Sequence, residues 1–198
     1  MKKSIRQHLL FTGLCLLAAL FVFGAYALKD QGSALAAQSV LDVSDLFTSR
    51  DLKQTASLKK ATYITLTDGE NVEITAAGVY VLSGTASDVT VTVQAGSEDK
   101  VQLVLDGVSI TNECASCIDV VSADKVFVTT TVSENTLRVT GAFASDRKAV
   151  IYSEEDLVLN GKETLVIEST ENGVQTKDDL KITGGSYVVR CNDAAFYA

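Results

Sequence analysis

A short phrase recurs along this chain, and it limits the folds open to it more than any bulk property does. Asp99-Lys-Val-Gln-Leu-Val-Leu105, Asp124-Lys-Val-Phe-Val128, Glu155-Asp-Leu-Val-Leu159 and Asp178-Asp-Leu-Lys-Ile182 each open on acidic residues or an Asp-Lys pair. Each then alternates apolar with other positions. The anchoring residues Val101, Val126, Leu157 and Leu180 are 25, 31 and 23 residues apart. Self-similarity at that spacing marks a stacked array, in which each repeat buries its apolar face only against its neighbours.

The repeat resolves into strands. From Tyr63 onward Thr and Val are abundant, apolar residues alternate with period two, and no segment keeps a helical period for three turns. The chain has no proline. Its turns come instead from Asp68-Gly69, Asp106-Gly107, Asn160-Gly161, Asn172-Gly173 and Gly184-Gly185. After each anchor strand come a second, Val108–Ile110, Leu137–Val139, Leu165–Ile167 and Tyr187–Val189, and a third, Ile118–Val120, Val150–Tyr152 and Val174–Thr176. Three short strands per repeat make one rung of a parallel β-helix, each strand pairing with its counterpart one rung on, ~4.8 Å away. The rung holding Ser133–Lys148 is longer, which predicts a loop there. An antiparallel sandwich is the rival all-β fold, since Asn-Gly and Asp-Gly favour hairpins. It gives no reason for the recurring phrase. Residues 37–62 are polar and irregular, and Val40, Leu41, Val43, Leu46 and Phe47 fit either one face of a short helix or an extended cap.

The start of the chain sets an expected compartment. Lys2, Lys3 and Arg6 precede an uncharged apolar run over residues 9–28, and Ala25-Tyr-Ala27 and Ala34-Leu-Ala36 fit cleavage signals. Residues 1–36 read as an export signal, or as an uncleaved membrane anchor through residues 9–28, and the protein as secreted or held at the cell surface. Cys15 lies too early in the run for a lipoprotein signal, and Leu14 before it is not small. The segment carries four cations against one anion, so the net charge of −8 for the whole chain becomes −11 for the rest. So acidic a domain does not suit nucleic acid, whose phosphates need a basic face. Cys114, Cys117 and Cys191 remain, an odd number, and the only histidine is His8. That leaves Cys114-Ala-Ser-Cys117 without partners for a zinc site.

Ordered segments carry a family likeness: Gly78-Val-Tyr-Val-Leu-Ser-Gly84, Lys100-Val-Gln-Leu-Val-Leu-Asp-Gly-Val-Ser-Ile-Thr-Asn112 and Thr176-Lys-Asp-Asp-Leu-Lys-Ile-Thr-Gly-Gly185. From about residue 60 to 198 the chain resembles bacterial exported carbohydrate-binding-domain proteins. The resemblance implies a right-handed parallel β-helix of pectate-lyase-like shape over residues 63–198. It also implies a surface or secreted protein that binds acidic or plant-type polysaccharide with bound calcium. With no histidine beyond the export segment and no Gly-x-Ser-x-Gly elbow, the chain reads as non-catalytic. A further Asp-rich phrase follows in that family; Asn192–Ala198 begins to match it. This predicts a solenoid without its last rungs, open to end-to-end self-association.

Calcium takes six to eight oxygen ligands, and a carboxylate at the same place on successive rungs is repulsive unless a cation compensates it. Asp156, Asp178, Asp179 and Asp193 lie at or near equivalent corners and are the expected metal ligands; the resemblance to the family's Lys-Asp-Asp phrase puts Asp178 and Asp179 first. Tyr152, Tyr187, Phe196, Tyr197 and Phe143 are the aromatics within reach of a sugar, and Arg147, Lys148 and Lys177 the cations for an acidic glycan. Two other functions stay open: a uronate lyase with Lys177 as base, and a structural stalk without ligand. The adjacent carboxylates oppose the first by holding that lysine protonated.

Overall fold

The computed structural model describes residues 46–198 apart from Ser133, with Val132 described by its backbone alone. The export segment 1–36, the apolar run 9–28 and residues 37–45 lie outside the described residues. Phe47–Ala198 form one compact unit.

The chain winds through six rungs. The first two-strand rung is β1 (Thr62–Thr65) and β2 (Val72–Ile74); the second is β3 (Gly78–Ser87) and β4 (Val91–Gln94); the third is β5 (Lys100–Asn112) and β6 (Ile118–Ser122). Three-strand rungs follow: β7 (Lys125–Val132), β8 (Asn135–Val139) and β9 (Ala149–Ser153); β10 (Asp156–Gly161), β11 (Thr164–Glu168) and β12 (Asn172–Thr176); β13 (Leu180–Ile182), β14 (Ser186–Arg190) and β15 (Phe196–Tyr197). Every strand pair among the described residues is parallel, which excludes the sandwich. The protein is a parallel β-helix. Its first wall runs β1-β3-β5-β7-β10-β13. The far halves of β3 and β5 turn onto a second wall with β8, β11 and β14, and the third wall is β2-β4-β6-β9-β12-β15.

The recurring phrase is the start of the first wall. Val101, Val126, Leu157 and Leu180 stand in one column, and Tyr80, Leu103, Val128, Leu159 and Ile182 in the next inward one. Ile110, Leu137, Ile167 and Val189 stack on the second wall, and Val91, Ile118, Ile151, Val174 and Phe196 on the third. These columns form the core, and most of their members are fully buried. Each fully buried Leu, Ile or Val contributes about 1.5–3 kcal/mol, so the core needs few aromatics.

One difference from the sequence reading follows from the register. Ile118 pairs with Ile151, not Val150, so the third strand of that rung sits one residue later than its apolar run suggests. Two rungs precede the first phrase, and there Gly78 stands opposite Val101 and supplies no apolar anchor. The long rung does carry a loop, Thr140–Lys148, which tucks Phe143 against the core.

Residues 47–61 form a strap outside the first wall, with one 3-10 turn at Leu58–Lys60. Arg50 stacks over the outward ring of Phe127, 4.6 Å from its centre. The Gln54 amide bridges two rungs: its Oε1 accepts the Gly161 N–H at 2.9 Å, and its Nε2 donates to the Thr183 carbonyl at 3.0 Å. A Cβ at Gly184 would occupy the space of that amide, so the strap needs glycine there.

Candidate functional site

The lysines of the repeated phrase explain its acidic residues. Lys100 pairs with Asp124 at 2.5 Å, Lys125 with Asp156 at 3.1 Å, and Lys181 with Asp179 at 3.6 Å. Two of the three pairs join a lysine on one rung to an aspartate at the corner leading into the next. The repulsion that a carboxylate column creates is therefore compensated by ammonium groups at Asp124, Asp156 and Asp179. Asp178 is exposed, and its Oδ1 accepts the Asp179 N–H at 3.0 Å. Asp193 stands at a different corner, its N–H bonded to the Glu171 carbonyl. The structure thus brings Asp156 and Asp179 to one corner, with the Leu157 N–H on the Asp179 carbonyl, and sets Asp193 apart. Among the described residues no three Asp, Glu, His or Cys side chains converge as a metal cage.

The aromatic candidates divide by strand parity. Phe143, Tyr187 and Phe196 belong to the core side, and Tyr187 meets Phe196 edge to face at 6.2 Å. Burial raises the Tyr187 phenol well above its usual range, while its hydroxyl donates to the Gly184 carbonyl. Tyr152 and Tyr197 point outward from the third wall, in the column Thr92, Asp119, Tyr152, Gln175, Tyr197.

Around Tyr152 the structure assembles cations that are distant in sequence. The Thr140–Lys148 loop brings the Arg147 guanidinium to 5.2 Å from the ring centre, and Lys177 approaches to 6.0 Å. Arg147 also bonds Asp119 and lies 3.5 Å from Glu154, which holds Lys177 at 2.8 Å and accepts from the Tyr152 hydroxyl at 3.2 Å. The Lys177 hydrogen bond lowers the Glu154 carboxyl and outweighs its partial burial. In return, the bond to Glu154 first, then contact with Tyr152, raises the Lys177 ammonium. Lys177 is thus held in its charged form, opposite to what a proton-abstracting base requires. Tyr152 is buried beneath its two cations, whereas Tyr197 is 55% exposed. Lys148 is exposed at the foot of the loop.

The cysteines take no part in this cluster. Cys114 is exposed, Cys191 half-buried, and these two and Cys117, the cysteines among the described residues, are free thiols. Burial pushes the Cys117 thiol up to about 12, with its Sγ on the Arg138 carbonyl at 3.4 Å.

Sequence reading missed Gln175, Arg138, Glu168 and Arg190. Their signal was present as polar residues between apolar ones, on strands whose other face is core. It identifies no partner until register is known.

Residues 68–198 match the family of carbohydrate-binding domain-containing proteins. A carbohydrate-binding domain-containing protein of Acetivibrio thermocellus is 37% identical over 127 residues, which are 60% of this chain and 44% of that protein. The chain thus spans less than half the length of this curated relative. The polysaccharide lyase-like protein from C. thermocellum, solved as a gadolinium derivative, superposes with a TM-score of 0.59 at 31% identity. That likeness covers 64% of this chain and 60% of the other. On the matched span, and with the parallel β-helix they share, this chain belongs to the carbohydrate-binding domain-containing protein family.

Proposed function

We propose that the protein binds polysaccharide, without cleaving it, through the outward face of the third wall. The carrying observation is the column Tyr152, Gln175, Tyr197 beside Arg147 and Lys177. Tyr197 offers an exposed ring for a sugar face, Gln175 an amide for hydroxyls, and the two cations offer donors one and two rungs away. Acidic or plant-type glycans suit the cations. The absence of catalysis is supported by the ion pairs: Glu154 and Asp119 are engaged by Arg147 and Lys177, and Lys177 keeps its proton.

Calcium enters as a bridging ion and not as a resident one, because the four aspartates form no cage. Asp178 and Asp179, adjacent and exposed, would supply two carboxylates, and the glycan and water the rest of the shell. Export to the cell surface belongs to the same proposal.

Affinity electrophoresis against a panel of soluble polysaccharides tests the reading. Tyr197→Ala and Gln175→Ala should each weaken retention about tenfold. Retention by no polymer, or equal retention of parent and variants, refutes it. Growth of absorbance from unsaturated uronates would make the protein a lyase. Calorimetry of Asp178→Ala with Asp179→Ala, with calcium and glycan together, tests the ion: an unchanged heat removes it.

A further inference from the structure

We propose that the corner groove beside β8, β11 and β14 is a second glycan subsite, where Arg138 and Arg190 hold carboxylates on alternate sugars of a uronate polymer without a metal ion. The inference rests on the polysaccharide-binding reading and adds a site, a ligand chemistry and a spacing to it.

Parallel register creates the site. Thr111, Arg138, Glu168 and Arg190 stand in one outward column on four successive rungs. Glu168 lies between the two guanidiniums, its Oε2 at 2.6 Å from Arg138 Nε and its Oε1 at 3.1 Å from Arg190 Nη1. The first is an ion-pair contact and not an aligned hydrogen bond. Among the described residues Glu168 is the only acidic partner of either arginine, so one positive charge is left over. On a chain whose net charge is −8, that surplus marks a place where an anion is drawn in and not repelled.

A guanidinium has five donors in a fixed fork; Arg190 spends one on Glu168, and Arg138 turns its Nε toward the same carboxylate without an aligned hydrogen bond. The remaining edges match a carboxylate two bonds at a time. The groove they border is open, with a volume of about 510 Å³, and Ser169, Thr170 and Asn192 make its polar side. Arg190 is 65% and Arg138 41% exposed at the side chain, so both forks are accessible.

Spacing supplies the specificity. The two arginines are two rungs apart, ~10 Å. A pyranose unit is about as long as a rung is high, so a glycan lying along the solenoid axis advances one sugar per rung. Carboxylates on every second sugar then reach Arg138 and Arg190, and Glu168 faces the sugar between and accepts from its hydroxyls. A carboxylate on that middle sugar is tolerated only if it points away. A polymer alternating uronate with neutral sugar, or one whose twofold screw turns every second carboxylate outward, meets this condition.

The test is binding of the purified full chain, in EDTA, to polygalacturonate and to the same polymer with its carboxyls reduced to alcohols. Arg138→Gln and Arg190→Gln should each weaken binding of the acidic polymer about tenfold, the loss expected for a hydrogen bond to a charged group. Binding of the reduced polymer should not change. Arg138→Lys and Arg190→Lys, which keep charge and lose the fork, should fall between parent and Gln variants. Glu168→Gln should tighten the acidic polymer several-fold. If the parent binds the acidic polymer in EDTA and all the arginine variants match it, the subsite is overturned while the polysaccharide reading stands. If the parent binds only with calcium, the metal-free subsite is likewise overturned. If it retains neither polymer, both readings fail for uronates.

Discussion

Asp51 is fully buried in the strap, and its removal should release the strap without unfolding the solenoid. Its Oδ2 accepts the Thr48 N–H at 2.9 Å, and its own N–H donates to Thr48 Oγ1 at 3.2 Å. Its carbonyl accepts from Thr183 Oγ1 at 2.5 Å, and Lys125 Nζ lies 3.8 Å from Oδ1. Breaking a buried ion pair costs about 3–5 kcal/mol, but Lys125 keeps Asp156 at 3.1 Å, which returns part of that. The Thr48 bond to a charged acceptor is worth about 1.5–3 kcal/mol. Asp51→Ala should therefore weaken the latch by about 2–4 kcal/mol, a rise of ~30–1000-fold in the open population. Asp51→Asn keeps an acceptor for Thr48 and should cost about 1.5 kcal/mol, roughly tenfold. Hydrogen exchange of the segment 47–57, read by mass spectrometry, reports that population directly.

The pH dependence has a fixed sign. Burial raises the Asp51 carboxyl, but the Thr48 N–H and hydroxyl and the charges of Lys125 and Lys181 outweigh it and hold the group below its usual value. A carboxyl lowered on folding stabilises fully above its unfolded pKa, about 3.9, and loses that contribution as pH falls through the folded value. Strap protection, corrected for intrinsic exchange, should therefore be flat from neutral pH to about 5 and fall below about 4. Unchanged protection in Asp51→Ala, or a parent strap that opens between pH 5 and 7, would refute the reasoning.

Other outcomes follow from single contacts. Gly161 has φ of +119°, and a Cβ there would run into the Thr130 backbone, so Gly161→Ala should lower the urea midpoint by an amount equal to about 2–5 kcal/mol. Phe127→Ala removes a fully buried ring and the seat of Arg50; a loss of about 3–5 kcal/mol in urea unfolding, with faster exchange of the strap, is expected. A thiol reagent at pH 8 should label Cys114 at once and Cys117 only on unfolding, since Cys117 is buried and its thiol stays protonated. Glu154→Gln should lower the Lys177 pKa, followed by the NMR shift of its side chain, because Glu154 is the first cause of its elevation.

The repeated phrase made four rungs legible because its inward positions are apolar in every copy. The two rungs before it lie within the expected span but carry no copy of the phrase: Gly78 occupies the anchor position, and no acid-lysine pair precedes it. Strap and wall show a different kind of hiding. Its contacts come from Arg50, Asp51 and Gln54, polar residues that no apolar pattern marks. Yet the wall beneath it was written in the phrase. Val126-Phe-Val128 and Leu157-Val-Leu159 are continuous apolar runs, as expected of strands buried on both faces, whereas Val101-Gln-Leu103 alternates. In the sequence Asp156, Asp178, Asp179 and Asp193 read as equivalent because each lies at or near a rung corner. Only the register separates Asp193, beside Glu171, from Asp156 and Asp179.

The proposed glycan face follows from strand parity as well. On a β-helix, inward side chains are committed to the core, so any ligand must meet outward ones or the corners. Along the first wall the outward residues Phe127 and Val158 are fully buried, and the strap takes the surface above Phe127. The phrase's charges are spent on one another, as Lys100 with Asp124 and Lys125 with Asp156. What remains includes, on the other two walls, the outward columns Arg138, Glu168, Arg190 and Asp119, Tyr152, Gln175, Tyr197. These carry cations, amide and phenol instead of aliphatics. Between them runs the Thr140–Lys148 loop, which sends Arg147 to one column and receives the Thr170 hydroxyl at the Gly141 carbonyl beside the other, at 2.6 Å. A glycan engaging both columns would have to pass this loop. Shortening the loop should therefore change binding of long polymers more than that of short oligosaccharides, and equal effects on both would mean that the two columns act separately.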